Sequence, residues 1–150
     1  MKSDLVTCDL FKKRLVDLCV QGCLLGWPHK NQDRHILLKS MVLGLDKTVE
    51  YTEKEINEKL KSWLANIGAS IDLDHVTLRR HLVELKYLER NDDGSCYRVC
   101  VSDPNQMMFE TAIEDVDVYE VVRANKELIK QKKQNYLQSQ KKERLSCKIL

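Results

Sequence analysis

The sequence lacks a long apolar run. No stretch approaches the roughly 18 uncharged residues that a membrane span needs, so no transmembrane helix is expected. Near the start, KKRLVDLCVQGCLLG puts a basic cluster before a partly apolar run, but Asp17 and Gln21 interrupt it. A charge at that place argues against a secretory signal. There is no glycine-rich phosphate loop, no nucleophile elbow and no His-Glu-x-x-His, so no enzyme, no cofactor and no small-molecule ligand is expected. There is also no internal repeat. An excess of one sign of charge is nearly absent, since 25 Lys and Arg face 23 Asp and Glu for a net +2. A value this small implies no polyanionic partner by itself, and only a local clustering of charge can argue for one.

What is present suits a helical protein of one domain plus extensions. The 150 residues are 43% hydrophobic and 32% charged. A chain of this length can bury roughly 68–70% of its unfolded surface, so it needs no disulfides to fold. Its six cysteines, Cys8, Cys19, Cys23, Cys96, Cys100 and Cys147, are therefore read as reduced thiols in a cytoplasmic protein.

Periodicity divides the chain. Cys8, Phe11, Leu15, Leu18, Cys19 and Cys23 recur at three- and four-residue spacing, which predicts a helix over residues 4–25. A second helix is expected from Asp33 to Leu43, with Ile36, Leu37 and Met41 inward. A third begins at Thr52, which with Glu55 has the spacing of a capping box. It carries Ile56, Leu60, Trp63, Leu64 and Ile67 to Gly68. Asp72 or Asp74 can cap a fourth, which runs to about Lys86 on a stripe of Leu78, Leu82 and Leu85. Two β-type runs around Asp93-Gly94 then signal a hairpin. Three compact helices followed by a hairpin describe a winged helix-turn-helix. The expected fold is thus mainly α: an extension over 1–26, a winged-helix domain over 27–101, and an acidic linker, basic helix and tail over 102–150.

The segments WPHKNQDR, YTEKEINEKL and LRRHLVELKYLERNDDGSCYR occur in that order and spacing. They resemble a bacterial family called domain of unknown function 2087. Its pattern falls here on Trp27, Pro28, Lys30, Arg34, Tyr51, Thr52, Glu53, Glu55, Asn57, Asp74, Leu78, Arg79, Arg80, Leu82, Val83, Arg90, Gly94 and Tyr97. The resemblance implies a winged-helix-like module of the kind that accompanies transcription-regulator domains. It assigns no activity. The loop ANIGASIDLD is longer here than in typical members.

In a winged helix the third helix of the domain enters the major groove. With Leu78, Leu82 and Leu85 inward, Thr77, Arg80, Glu84 and Tyr87 point outward, and Arg79 and Lys86 lie on a flank. An arginine there can bond guanine or hold a phosphate. Thr77, Arg80 and Lys86 are accordingly the candidate contacts to duplex DNA, with Arg98 and the tail lysines adding attraction. A bland reading competes. Arg80 and Glu84 have ion-pair spacing, Arg79 can pair with Glu53 or Glu55, and Val76 and Val83 beside Arg80 suit a packed partner. The expected wing tip carries Asp92 and Asp93, which repel phosphates but suit a turn. A protein-interaction module without DNA is the alternative function.

Cys19, Cys23, His29 and His35 could supply zinc ligands, but their spacing fits no standard finger, and core packing accounts for the two cysteines. His75 and His81 have no nucleophile to activate. Val118, Val121, Val122, Leu128, Ile129 and Tyr136 predict a helix over 116–144, acidic before it and basic along it. The two terminal helices must cover their stripes on the domain, on each other, or across a homodimer axis. Finally, Cys147-Lys-Ile-Leu has the form of a geranylgeranylation signal with basic residues upstream, which would put the protein on a membrane inside a eukaryotic cell. An ordinary frayed terminus is the competing account.

Overall fold

A computed structural model describes residues 5–19, 27–69, 71–101 and 103–149, without the side chains of 141–149. The elements are α1 (Cys8–Cys19), α2 (Asn31–Val42), β1 (Tyr51–Thr52), α3 (Glu53–Asn66), α4 (His75–Glu84), β2 (Leu88–Arg90), β3 (Cys96–Val99), a 3-10 turn over Thr111–Asp115, and α5 (Val118–Ile149). The protein is mainly helical, with one small antiparallel sheet in the order β1-β3-β2. Two of the strands are the expected hairpin. The third, β1, was not foreseen, and pairs Tyr51 with Tyr97.

Local chemistry sets the element ends. The Thr52 hydroxyl accepts from Glu55 N–H and the Glu55 carboxylate accepts from Thr52 N–H, so the capping box starts α3. These bonds hold the Glu55 carboxyl below its ordinary pKa. At the far end Gly68 is needed for space rather than for conformation. A Cβ there would lie 2.3 Å from the Trp63 ring. Asp74, not Asp72, caps α4 by accepting from Thr77 N–H at 2.8 Å. α4 ends at Glu84, two residues short of expectation. Lys86 adopts φ 62°, Lys86 N–H donates to Val83 C=O, and Tyr87 N–H donates to Leu82 C=O. That is a Schellman ending, with lysine where glycine is usual.

This ending corrects one expectation. Tyr87 does not point outward. The left-handed residue before it swings the chain inward, and Tyr87 is fully buried. Its hydroxyl lies 2.6 Å from His35 Nδ1 and accepts from Met107 N–H. Burial pushes the Tyr87 phenol pKa up and the His35 pKa down.

The core draws on every segment. Phe11, Leu15 and Leu18 of α1 share one buried cluster with Ile36 and Leu37, with Trp63, Leu78 and Leu82, and with Val118 and Val122 of α5. α2 runs through the middle and is buried on nearly all sides, including Asp33, His35, Lys39 and Ser40. Each of these polar groups has a partner, as burial demands. Arg14 donates twice to Asp33, Lys39 meets Glu114 at 2.6 Å, and Trp63 Nε1 donates to Ser40. Burial raises the Glu114 pKa, and bonds from Lys39 and Lys47 more than reverse this. The segments that flank residues 27–101 in sequence also meet. Val6 N–H donates to Met108 C=O, and Glu110 N–H donates to Val6 C=O.

Candidate nucleic-acid interface

α4 is positioned by its inner face. Leu78 and Leu82 are completely buried, and α3 is the helix's main neighbour, with β2 and α2 beside it. Arg79 locks the flank. Its guanidinium reaches Glu53 at 2.9 Å, donates to Asn57 Oδ1, and lies 5.9 Å from the centre of the Tyr97 ring. The Arg79 side chain is only 15% exposed. One helix residue thereby ties α3, α4 and β3 together.

Arg80, next in sequence, is exposed. The expected bridge to Glu84 does not form among the described residues. The Glu84 carboxylate instead lies 3.9 Å from His81 Nδ1. Arg80 makes no hydrogen bond or ion pair with another described residue. Its charge is felt at Asp74, whose carboxyl is held below its ordinary pKa chiefly by its bonds from Thr77. Thr77 lies one turn earlier on the same face and is half-buried, as are Val76 and Val83.

The other sequence candidates lie apart from that face. Lys86 is exposed at the Schellman turn, where its carbonyl accepts from Gln106 at 2.6 Å. Arg98 is exposed on β3 and faces Glu89 across the hairpin at 3.4 Å. In the hairpin connection, Asp93 accepts from Ser95 N–H and Ser95 Oγ, and these bonds lower its pKa. Gly94 takes φ 74° over the Arg90 side chain. The two acids thus sit in a turn that one of them shapes.

One feature of this surface was not found from sequence. Trp27 stacks on His81, with ring centres 5.1 Å apart and planes 11° from parallel. Arg34 Nε donates to Pro28 C=O at 2.6 Å and steadies the same corner. The available signal was Trp27-Pro28 itself, which reads as a helix breaker rather than as a lid on a helix 54 positions away in the chain.

Cys19 is a packed thiol, pushed up to about 12 by burial, and such a group resists the thiolate form that zinc needs. Cys23 and the Cys147 side chain lie outside the described residues. Among the described residues no group of three His, Cys, Asp or Glu could hold a metal ion, and no helix is long and apolar enough to cross a membrane.

Residues 23–99 match the model of a family described as an uncharacterized protein conserved in bacteria, domain of unknown function 2087. The chain belongs to that family. No curated protein and no solved structure matches it. The family's pattern residues now have places. Thr52, Glu55 and Asp74 cap helices, Glu53, Asn57 and Arg79 form the node between α3 and α4, and Tyr51 pairs with Tyr97. Among the charged pattern residues, the side chains of Lys30, Arg80 and Arg90 make no hydrogen bond or ion pair to another described residue.

Proposed function

We propose that residues 27–101 are a winged-helix module that binds nucleic acid through the outer face of α4, as part of a regulator-like protein. The single observation that carries this reading is Arg80. It is an exposed guanidinium on an anchored helix, in the family's own pattern, with no structural task. The element order supports it: α2, β1, α3, α4, β2 and β3, with β1 on the free edge of the hairpin's second strand. That order is compatible with a winged helix, in which α4 would take the place of the recognition helix. Arg80 is the principal contact and Thr77 its neighbour. Lys86 and Arg98 stand at the periphery, and Glu89 offsets much of the charge of Arg98. The hairpin supplies shape rather than attraction, because Asp92 and Asp93 would face phosphates.

The half-buried Val76 and Val83 favour a second reading, a winged-helix surface that docks a protein. Titration of the full chain against a duplex at several salt concentrations separates the two. Each neutralised phosphate makes log K fall by about 0.9 per unit of log salt. A salt-dependent association supports the first reading. No association, or one indifferent to salt, would leave the protein-docking surface in its place.

A further inference from the structure

A groove of about 750 Å³ lies between α1, the 3-10 turn and the first half of α5. Its floor is apolar, from Val16, Val116, Val121 and Ala124. Asp115, Asp117 and Glu120 line it from the 3-10 turn and α5, and Lys12, Lys13 and Asp17 line it from α1, so four carboxylates outweigh two lysines. Asp117 also caps α5 and Glu120 holds Arg123, while Asp115 makes no hydrogen bond or ion pair with another described residue.

The helix that walls this groove continues beyond it. α5 has 32 residues, about 48 Å at 1.5 Å per residue. From Lys126 to Gln140 every side chain is exposed except the partly covered Ile129 and Gln140. Leu128 is 49% exposed and Tyr136 is 64% exposed. At 100° per residue, Val121, Leu128 and Tyr136 fall within about 80° of one another. The groove wall and the exposed stripe, interrupted by Asn125 and Lys132, are therefore one face of one helix.

Charge divides α5 from the segment that leads into it, and Lys132 brings that charge onto the exposed face. From Asp103 to Glu120 every charged residue is acidic, whereas from Lys126 to Lys148 eight Lys or Arg stand against two Glu. We propose that this face is a homodimer interface, in which two copies pair their α5 helices antiparallel. The basic, apolar distal half of each then seats over the acidic groove of the other. A second copy fits better than another basic helix because the groove lies at one end of α5 and the complementary stripe at the other. A two-fold axis across α5 buries both at once, as a self-complementary interface must. A parallel pairing would set eight cations against eight. The proposal is independent of whether α4 binds nucleic acid.

Sedimentation equilibrium of the full chain tests it. A dimer in the micromolar range at low salt is expected, weakening as salt rises, because exposed charges are screened. Leu128→Asp with Tyr136→Asp should yield a monomer that keeps the wild-type circular dichroism, since neither side chain is buried in one copy, and whose melting temperature no longer depends on protein concentration. Asp115→Lys with Glu120→Lys makes the groove repel, and Lys132→Glu with Lys133→Glu does the same to the distal half. Each pair of changes should abolish the dimer. Mixing the two variants should restore a dimer, since both of its contacts are again between opposite charges. A wild-type chain that stays monomeric throughout overturns the proposal. So does a dimer that survives both charge reversals, or a mixture of the two variants that remains monomeric.

Discussion

Arg79 and Arg80 are adjacent on α4 and chemically identical, yet the fold treats them oppositely. Arg79 is covered, and is held by Glu53, Asn57 and the Tyr97 ring. Arg80 is in solvent and bound to nothing described. The 100° between successive helix positions is enough to turn one toward α3 and the sheet and the other away. A guanidinium with three protein partners is accounted for by stability. One without partners keeps its five donors for something outside the chain.

The contrast can be broken or sharpened by substitution. The largest effect belongs to the inner face. Leu82→Ala should cost about 2–5 kcal/mol, the usual range for emptying a buried leucine site, read as a lower denaturant midpoint. Arg79→Ala comes next, at about 1–3 kcal/mol, because Asn57 and the half-exposed Glu53 lose a charged partner. If Arg79→Ala melts like the wild type, the node between α3 and α4 is not structural and the contrast with Arg80 fails.

A buried polar group should follow the Arg79 pattern in a pH titration. The His35 pKa is lowered by burial from an ordinary 6.5. The unfolded chain therefore binds the proton more readily, and stability rises with pH in that window. The contribution is fully present above about 6.5, is lost as pH falls toward the depressed folded value, and then levels off. Melting temperatures across that range should show the slope, and His35→Gln should remove it. The carboxyls of Asp46, Glu55, Asp74 and Asp93 are themselves depressed from ordinary values of 3.8 or 4.5, so their losses come at lower pH.

A smaller gain is expected at the Schellman turn. Lys86→Gly removes the steric cost of a left-handed lysine and should stabilise by about 1 kcal/mol. A loss of stability there would mean that the φ of Lys86 is not strained. The smallest stability effect belongs to Arg80→Ala, within about 0.5 kcal/mol of the wild type.

Much of this was legible because it is local. The capping box at Thr52 and Glu55, the cap at Asp74, the leucine stripe of α4 and the turn at Gly94 each depend on residues a few positions apart. The pairing of Arg79 with Glu53 was one of two options that spacing allowed. What escaped the sequence is carried by distant partners. The expected stripe of α2 held three inward residues, but α1, α4, Trp63 of α3 and the 3-10 turn cover it almost completely. Its Lys39 is satisfied only by Glu114, 75 positions on. β1 is two residues long and exists because β3 offers an edge. Tyr87 turned inward because a lysine took a glycine's conformation. The stacking of Trp27 on His81 crosses more than fifty residues of chain. The candidate site was legible only in part: Arg80 stands where its helical phase put it, while its lack of a Glu84 bridge could not be read from a spacing that permits one.

The account rests most directly on the salt dependence of duplex binding by the wild type and by Arg80→Ala, measured side by side. The account predicts that Arg80→Ala folds as before, binds about 5- to 150-fold more weakly, and, if the contact is to phosphate, shows a slope shallower by about 0.9. Equal affinities and equal slopes for the two proteins would contradict it, and α4 would then not be the surface that grips nucleic acid.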